Sequence, residues 1–151
     1  MLCNGDFEQP VQRGRYKFFN SIPCWTTNSG NKFEIGYYNG QFPGSQFLEL
    51  DASKGGQFYQ QKVTLNQAGN YLFEFEFNTR PGVNLNDQKF YVNFNSLRLA
   101  YIDPSVQERR KFSFEVKGEK GVNVVEFVDD GAGNHYGNGI DNVALFKIRR
   151  V

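Results

Sequence analysis

The sequence predicts an all-β chain folded as a two-sheet antiparallel β-sandwich, and three observations lead there. Apolar and polar residues alternate along most of the chain, while helical periodicity is almost absent. Clusters of turn-forming residues interrupt the alternation at short intervals. The composition is strongly aromatic, with Phe 16 and Tyr 8 in 151 residues, and such side chains suit pleated, half-buried surfaces.

In chain order, the first alternating runs are residues 32–35, 46–50 and 58–63. In residues 71–77, Phe73, Phe75 and Phe77 fall on one face and Glu74 and Glu76 on the other. The pattern returns in residues 90–95, 112–116, 123–128 and 142–148. Between these runs lie turn signals such as Asn39-Gly40, Pro43-Gly44, Gly55-Gly56 and Pro81-Gly82. One-sided strands of this kind build antiparallel sheets with one buried and one wet face. No repeat, linker or compositional break divides the chain, so residues 1–151 are expected to form one domain. Burial of about 150–250 Å2 per ring at about 25 cal/mol per Å2 makes each inward aromatic worth several kcal/mol before entropy. Trp25, following Pro23 among polar residues, reads as core, with a ligand platform as the alternative.

The charge balance excludes some partners. Lys+Arg 17 against Asp+Glu 16 gives a net charge of +1, which offers no field for nucleic acid or an anionic membrane. The basic Lys147-Ile148-Arg149-Arg150 reads as a solvated chain end. No apolar stretch approaches the ~20 residues that membrane insertion requires. The first residues lack a basic and then apolar leader, and no Asn-x-Ser/Thr acceptor occurs, which points to an intracellular protein. A secreted or cell-surface protein with its leader removed is the alternative. Cys3 and Cys24 are expected as reduced, buried thiols, the alternative being a disulfide if the first strand runs beside Trp25. Their spacing is not that of a zinc site.

Catalytic chemistry is not expected. His135 is the single histidine, which rules out histidine metal clusters and most triads. The glycine-rich residues 131–139 lack the Lys-Ser/Thr of a phosphate loop and read as a long loop between the last two strands. Asp129 and Asp130, adjacent in an extended chain, face opposite ways and cannot act as a carboxylate pair. Glu74 and Glu76 read as a solvated sheet face. The chain is therefore expected to bind rather than to catalyse.

An ordered series of motifs adds to this reading. Asn4-Gly5-Asp6-Phe7-Glu8, Trp25-Thr26 and residues 29–35 are followed by residues 44–51, Phe58-Tyr59-Gln60-Gln61 and a closing Gly139-Ile140-Asp141-Asn142-Val143-Ala144-Leu145. As a set they resemble the galactose-binding-like jelly rolls, in particular the carbohydrate-binding modules of xylanases and glucanases and related plant cell-wall and bacterial surface domains. The resemblance implies that the two ends of the chain lie side by side and hold a structural calcium. Carried over, Glu8 and Asp141 supply carboxylates, Asp6 is a candidate third, and a backbone carbonyl near Asn31 completes the shell. The alternative is that Asp6 caps the turn after Gly5 while Glu8 faces solvent. The resemblance also implies a sugar site of aromatic faces and polar groups, for which Tyr37, Tyr38, Arg80, His135 and Tyr136 are candidates. Where bacterial relatives carry a Trp after the segment matching residues 33–35, this chain has Gly36. The expected function is a non-catalytic, calcium-stabilised module with a glycan or protein partner. The alternative is a small accessory subunit that serves as a packing block in a larger eukaryotic assembly.

Overall fold

In the computed structural model, which describes residues 2–28, 30–37, 42–50, 56–131 and 136–150, the chain folds into two packed antiparallel sheets. The strands are β1 (Tyr16–Phe19), β2 (Thr26–Thr27), β3 (Phe33–Gly36), β4 (Phe47–Glu49), β5 (Phe58–Leu65) and β6 (Gly69–Asn78). They continue with β7 (Phe90–Phe94), β8 (Leu97–Ile102), β9 (Arg109–Gly118), β10 (Gly121–Asp129) and β11 (Gly139–Lys147). A single 3-10 turn, Leu85–Gln88, precedes β7, and no α-helix occurs among the described residues. One sheet has the order β1-β3-β4-β11-β6-β9 and the other β2-β5-β10-β7-β8. The predicted all-β sandwich is what forms, and all eight runs read from alternation are strands.

The core is aromatic. Phe73, Phe75 and Phe77 on β6 are fully buried, and their partners across the sandwich are Phe90 on β7 and Phe127 on β10. Phe75 stands at the centre, with Phe127 edge-on at 5.0 Å and Phe112 at 5.5 Å, an arrangement that suits ring quadrupoles. Trp25 is core, as expected: it is 3% exposed between Phe7 and Phe127, and its indole N–H donates to the Asn4 carbonyl at 3.0 Å.

The N-terminal segment packs on β11, so the two ends of the chain are neighbours. The Val143 N–H donates to the Gly5 carbonyl at 2.8 Å, at a register shift in β11 between Asp141 and Ala144 where Asn142 adopts φ +51. A side chain at Gly5 would place its Cβ 2.0 Å from the Val143 carbonyl oxygen, so only glycine permits this approach. Cys3 and Cys24 are joined in a disulfide with a Cα–Cα separation of 5.9 Å. This corrects the expected free thiols: the N-terminal segment does run beside Trp25, the condition under which the pair comes within bonding reach.

Candidate functional site

Two clusters stand out, and they divide the sequence candidates between them. The first lies where the N-terminal segment crosses β4 and β11. Glu8 Oε1 accepts from the Gln46 N–H at 2.8 Å and sits 3.3 Å from Ser45 Oγ, which in turn lies 2.9 Å from Asp141 Oδ2. The Gln46 carbonyl is a third acceptor, 3.4 Å from the same hydroxyl, which has one proton to give. Asp141 is fully buried, and that burial pushes its carboxyl up to about 7 against the opposing hydrogen bonds from the Asn142 N–H and Ser45; Glu8 and Glu76 raise it further. Arg13 pairs with Glu8 at 3.2 Å and stacks on the Tyr37 ring at 4.7 Å.

The donor set here is entirely oxygen, with two carboxylates, a hydroxyl and a carbonyl in reach of one another, which is the kind of set a hard cation such as calcium takes. Glu8 and Asp141 are therefore brought together as expected. Asp6 is turned otherwise: its Oδ1 accepts from the Glu8 N–H at 3.3 Å and caps the local turn. Asn31 is not brought to this place. Register sets Glu34 opposite Glu49 and Glu49 opposite Gly139, so Asn31 precedes that row by three residues while Asp141 follows it by two. Five residues of extended chain separate them, roughly 16 Å at ~3.3 Å per residue. Among the described residues no group of three or more His, Cys, Asp or Glu converges. Ser45 is the member that sequence reasoning missed; its place just before β4, next to Gln46, was the available signal.

The second cluster lies at the end of the sandwich where β6 stops and β11 starts. Register places Glu34 of β3 directly opposite Glu49 of β4, both on the outer face and both buried. Arg80, two residues beyond β6, reaches Glu49 with Nη1–Oε1 at 2.5 Å. Burial, then the charge of Glu34, pushes Glu49 up to about 9, while the charge of Arg80 and its hydrogen bond oppose the shift. The Arg80 guanidinium also stacks on the Tyr136 ring at 5.0 Å, and Tyr136 is 45% exposed.

A buried amide holds this end in place. Gln88 accepts from the Arg80 N–H at 2.9 Å and donates to the Tyr136 carbonyl at 2.5 Å, while Asn138 donates to the Gln88 carbonyl. The Asn138 Oδ1 is buried without a hydrogen-bond partner among the described residues. Two of the sequence candidates, Arg80 and Tyr136, thus meet here, whereas Tyr37 belongs to the first cluster. Tyr38 and His135 lie outside the described residues. Glu34, Glu49, Gln88 and Asn138 were missed; a lone acid in an apolar run, as in Phe33-Glu34-Ile35 and Leu48-Glu49-Leu50, was the legible trace.

No protein-family model matches the chain, and no curated protein matches it. Solved structures do. A family 35 carbohydrate binding module from Clostridium thermocellum superposes with a TM-score of 0.57 at 22% identity, over 82% of this chain and 93% of the module. A family 35 module from an environmental isolate gives 0.58 at 17% identity, over 85% of this chain and 90% of the module. This chain shares their fold. The expected two-sheet jelly-roll sandwich is the fold that this chain shares with these family 35 modules. The same fold occurs as part of a larger chain in a GH26-CBM35 β-(1,4)-mannanase from Podospora anserina, with a TM-score of 0.54 at 12% identity over 92% of this chain and 29% of that one.

Proposed function

We propose that this domain is a non-catalytic carbohydrate-binding module whose glycan site is the Arg80–Tyr136 end of the sandwich. The observation that carries the reading is the half-exposed Tyr136 ring stacked on an arginine that the buried Glu49 carboxyl holds. A pyranose presents an apolar C–H face to such a ring and hydroxyls to the surrounding donors and acceptors; the guanidinium is held by Glu49 at 2.5 Å beside that ring. Pre-fixed groups lower the ordering cost of binding. The shared fold with family 35 carbohydrate binding modules supports this class of ligand. Affinity electrophoresis through gels containing galactomannan, xylan, polygalacturonate or β-1,3-glucan tests it. Retardation in at least one gel, reduced by Tyr136→Ala, is the expected result; free migration in all of them rejects it.

Glu8 and Asp141, with Ser45, would hold a structural calcium, which would supply the positive charge that the buried Asp141 lacks and Glu8 has only from Arg13. The Cys3–Cys24 disulfide supports an oxidising compartment, and so favours the secreted or cell-surface alternative over the intracellular one. The packing-block alternative has no specific observation in its favour.

A further inference from the structure

The outer face of the five-stranded sheet carries a second arrangement of aromatic and polar groups that neither cluster above uses. Tyr91 on β7 and Tyr101 on β8 are directly opposite in register, and both alternate with core residues, Phe90 and Val92 on one strand and Ile102 on the other. Both rings therefore point outward. Arg98 bridges them, its guanidinium carbon 4.1 Å from the Tyr91 centroid and 5.9 Å from that of Tyr101. The Tyr101 hydroxyl donates to Asp130 at 2.6 Å, which fixes the ring at its far end while leaving the residue 43% exposed. Among the described residues no carboxylate lies within ion-pair distance of Arg98, so its donors are available.

The adjoining row supplies hydrogen-bonding groups across four strands. Gln60 on β5 faces Glu126 on β10, Glu126 faces Asn93 on β7, and Asn93 faces Arg98 on β8. Asn93 Nδ2 donates to Glu126 Oε1 at 2.9 Å, which leaves the second carboxylate oxygen for another donor. Strands about 4.8 Å apart make this a row roughly 15 Å long, the span of about three sugar rings. A protein hot spot centres on an apolar anchor with polar groups at its rim. Here the polar row runs through the middle and the ring stands at one end, which suits a polyhydroxylated chain laid across the strands.

We propose that this face is a second glycan-binding platform, with a sugar ring stacked on Tyr101 and its hydroxyls taken by Arg98, Asn93 and Glu126. It rests on the carbohydrate-binding reading but not on the Arg80–Tyr136 end. The test is affinity electrophoresis of the whole chain in the same four polysaccharide gels, with Tyr101→Ala, Arg98→Ala and the ring-retaining Tyr101→Phe, each checked by thermal melting. Truncating a binding hot spot costs enough to weaken retardation roughly ten-fold. The expected result is that loss for Tyr101→Ala and Arg98→Ala at a near-normal melting temperature, with Tyr101→Phe close to wild type. Unchanged retardation of both alanine variants beside a retarded wild type overturns the platform and leaves the Tyr136 site standing. No retardation of the wild type in any gel overturns both. Retardation lost only with a collapsed melting temperature in both alanine variants, while Tyr101→Phe also fails, assigns the residues to stability and overturns the platform.

Discussion

Gly5 shows how one residue decides whether the chain ends meet. Its carbonyl accepts from Val143 at 2.8 Å, and a Cβ there would lie 2.0 Å from the Val143 carbonyl oxygen. Gly5→Ala must push the N-terminal segment off β11, and with it Glu8 away from Asp141. Strain of this kind costs about 1–3 kcal/mol, so a lowered denaturation midpoint is expected, and an unchanged one would show that the segment does not pack there. Glu49 makes a pH argument at the same scale. Its folded pKa of about 9 is raised above the ordinary value near 4.5, chiefly by burial and then by Glu34, with Arg80 opposing. An acid so shifted contributes stability that is fully present below the unfolded value and lost as pH rises through about 9. In calcium-free buffer the melting temperature should fall from pH 5 to 9, and Glu49→Gln should flatten that fall. A wild-type and a variant profile of equal slope would contradict the raised Glu49 pKa.

At the level of elements, β6 is the most legible and the most consequential. Its three inward phenylalanines read directly from the sequence, and Phe75 touches rings from β7, β9 and β10. Phe75→Ala should cost about 3–5 kcal/mol, measured by urea unfolding, because a rigid ring cluster collapses poorly around a lost ring. Strands escaped reading where alternation fails for a physical reason. The β1 residues Tyr16–Phe19 are mostly exposed at a sheet edge, so both faces carry rings and no period appears. In β8 a register shift opposite Val92 and Asn93 breaks the two-residue period, leaving Leu99 and Ala100 adjacent with no polar residue between. β2 is only Thr26–Thr27, too short to carry a pattern. The sites divide the same way. Glu8 with Asp141 was recognisable as a set through the family resemblance and Arg80 and Tyr136 as separate candidates, but Ser45, Glu34 and Glu49 acquire their places from cross-strand register, which composition does not encode.

For the molecule as a whole, the sandwich brings together chain ends that are 133 positions apart, from Glu8 to Asp141, and stitches the N-terminal segment twice. The disulfide spans 21 positions, and closing such a loop is worth about 3 kcal/mol by the loop-entropy account. A reductant should therefore lower the melting temperature, and an unaltered melt would contradict the bond's structural role. The proposed calcium would act on the same segment. Ligand at about 100 times its Kd stabilises by about 2.7 kcal/mol, so EGTA should lower the wild-type melting temperature and leave Asp141→Asn nearly unaffected. Equal shifts in the two proteins would place any calcium effect elsewhere.

The central claim is that the fixed Arg80–Tyr136 end receives a sugar ring. Titration calorimetry of wild type and Tyr136→Ala, with oligosaccharides of whichever polysaccharide retards the protein, tests it most directly. The account predicts saturable heat for the wild type and roughly ten-fold weaker binding for the variant, since an aromatic anchor at the centre of a small site carries much of its affinity. Identical isotherms for the two proteins would contradict it.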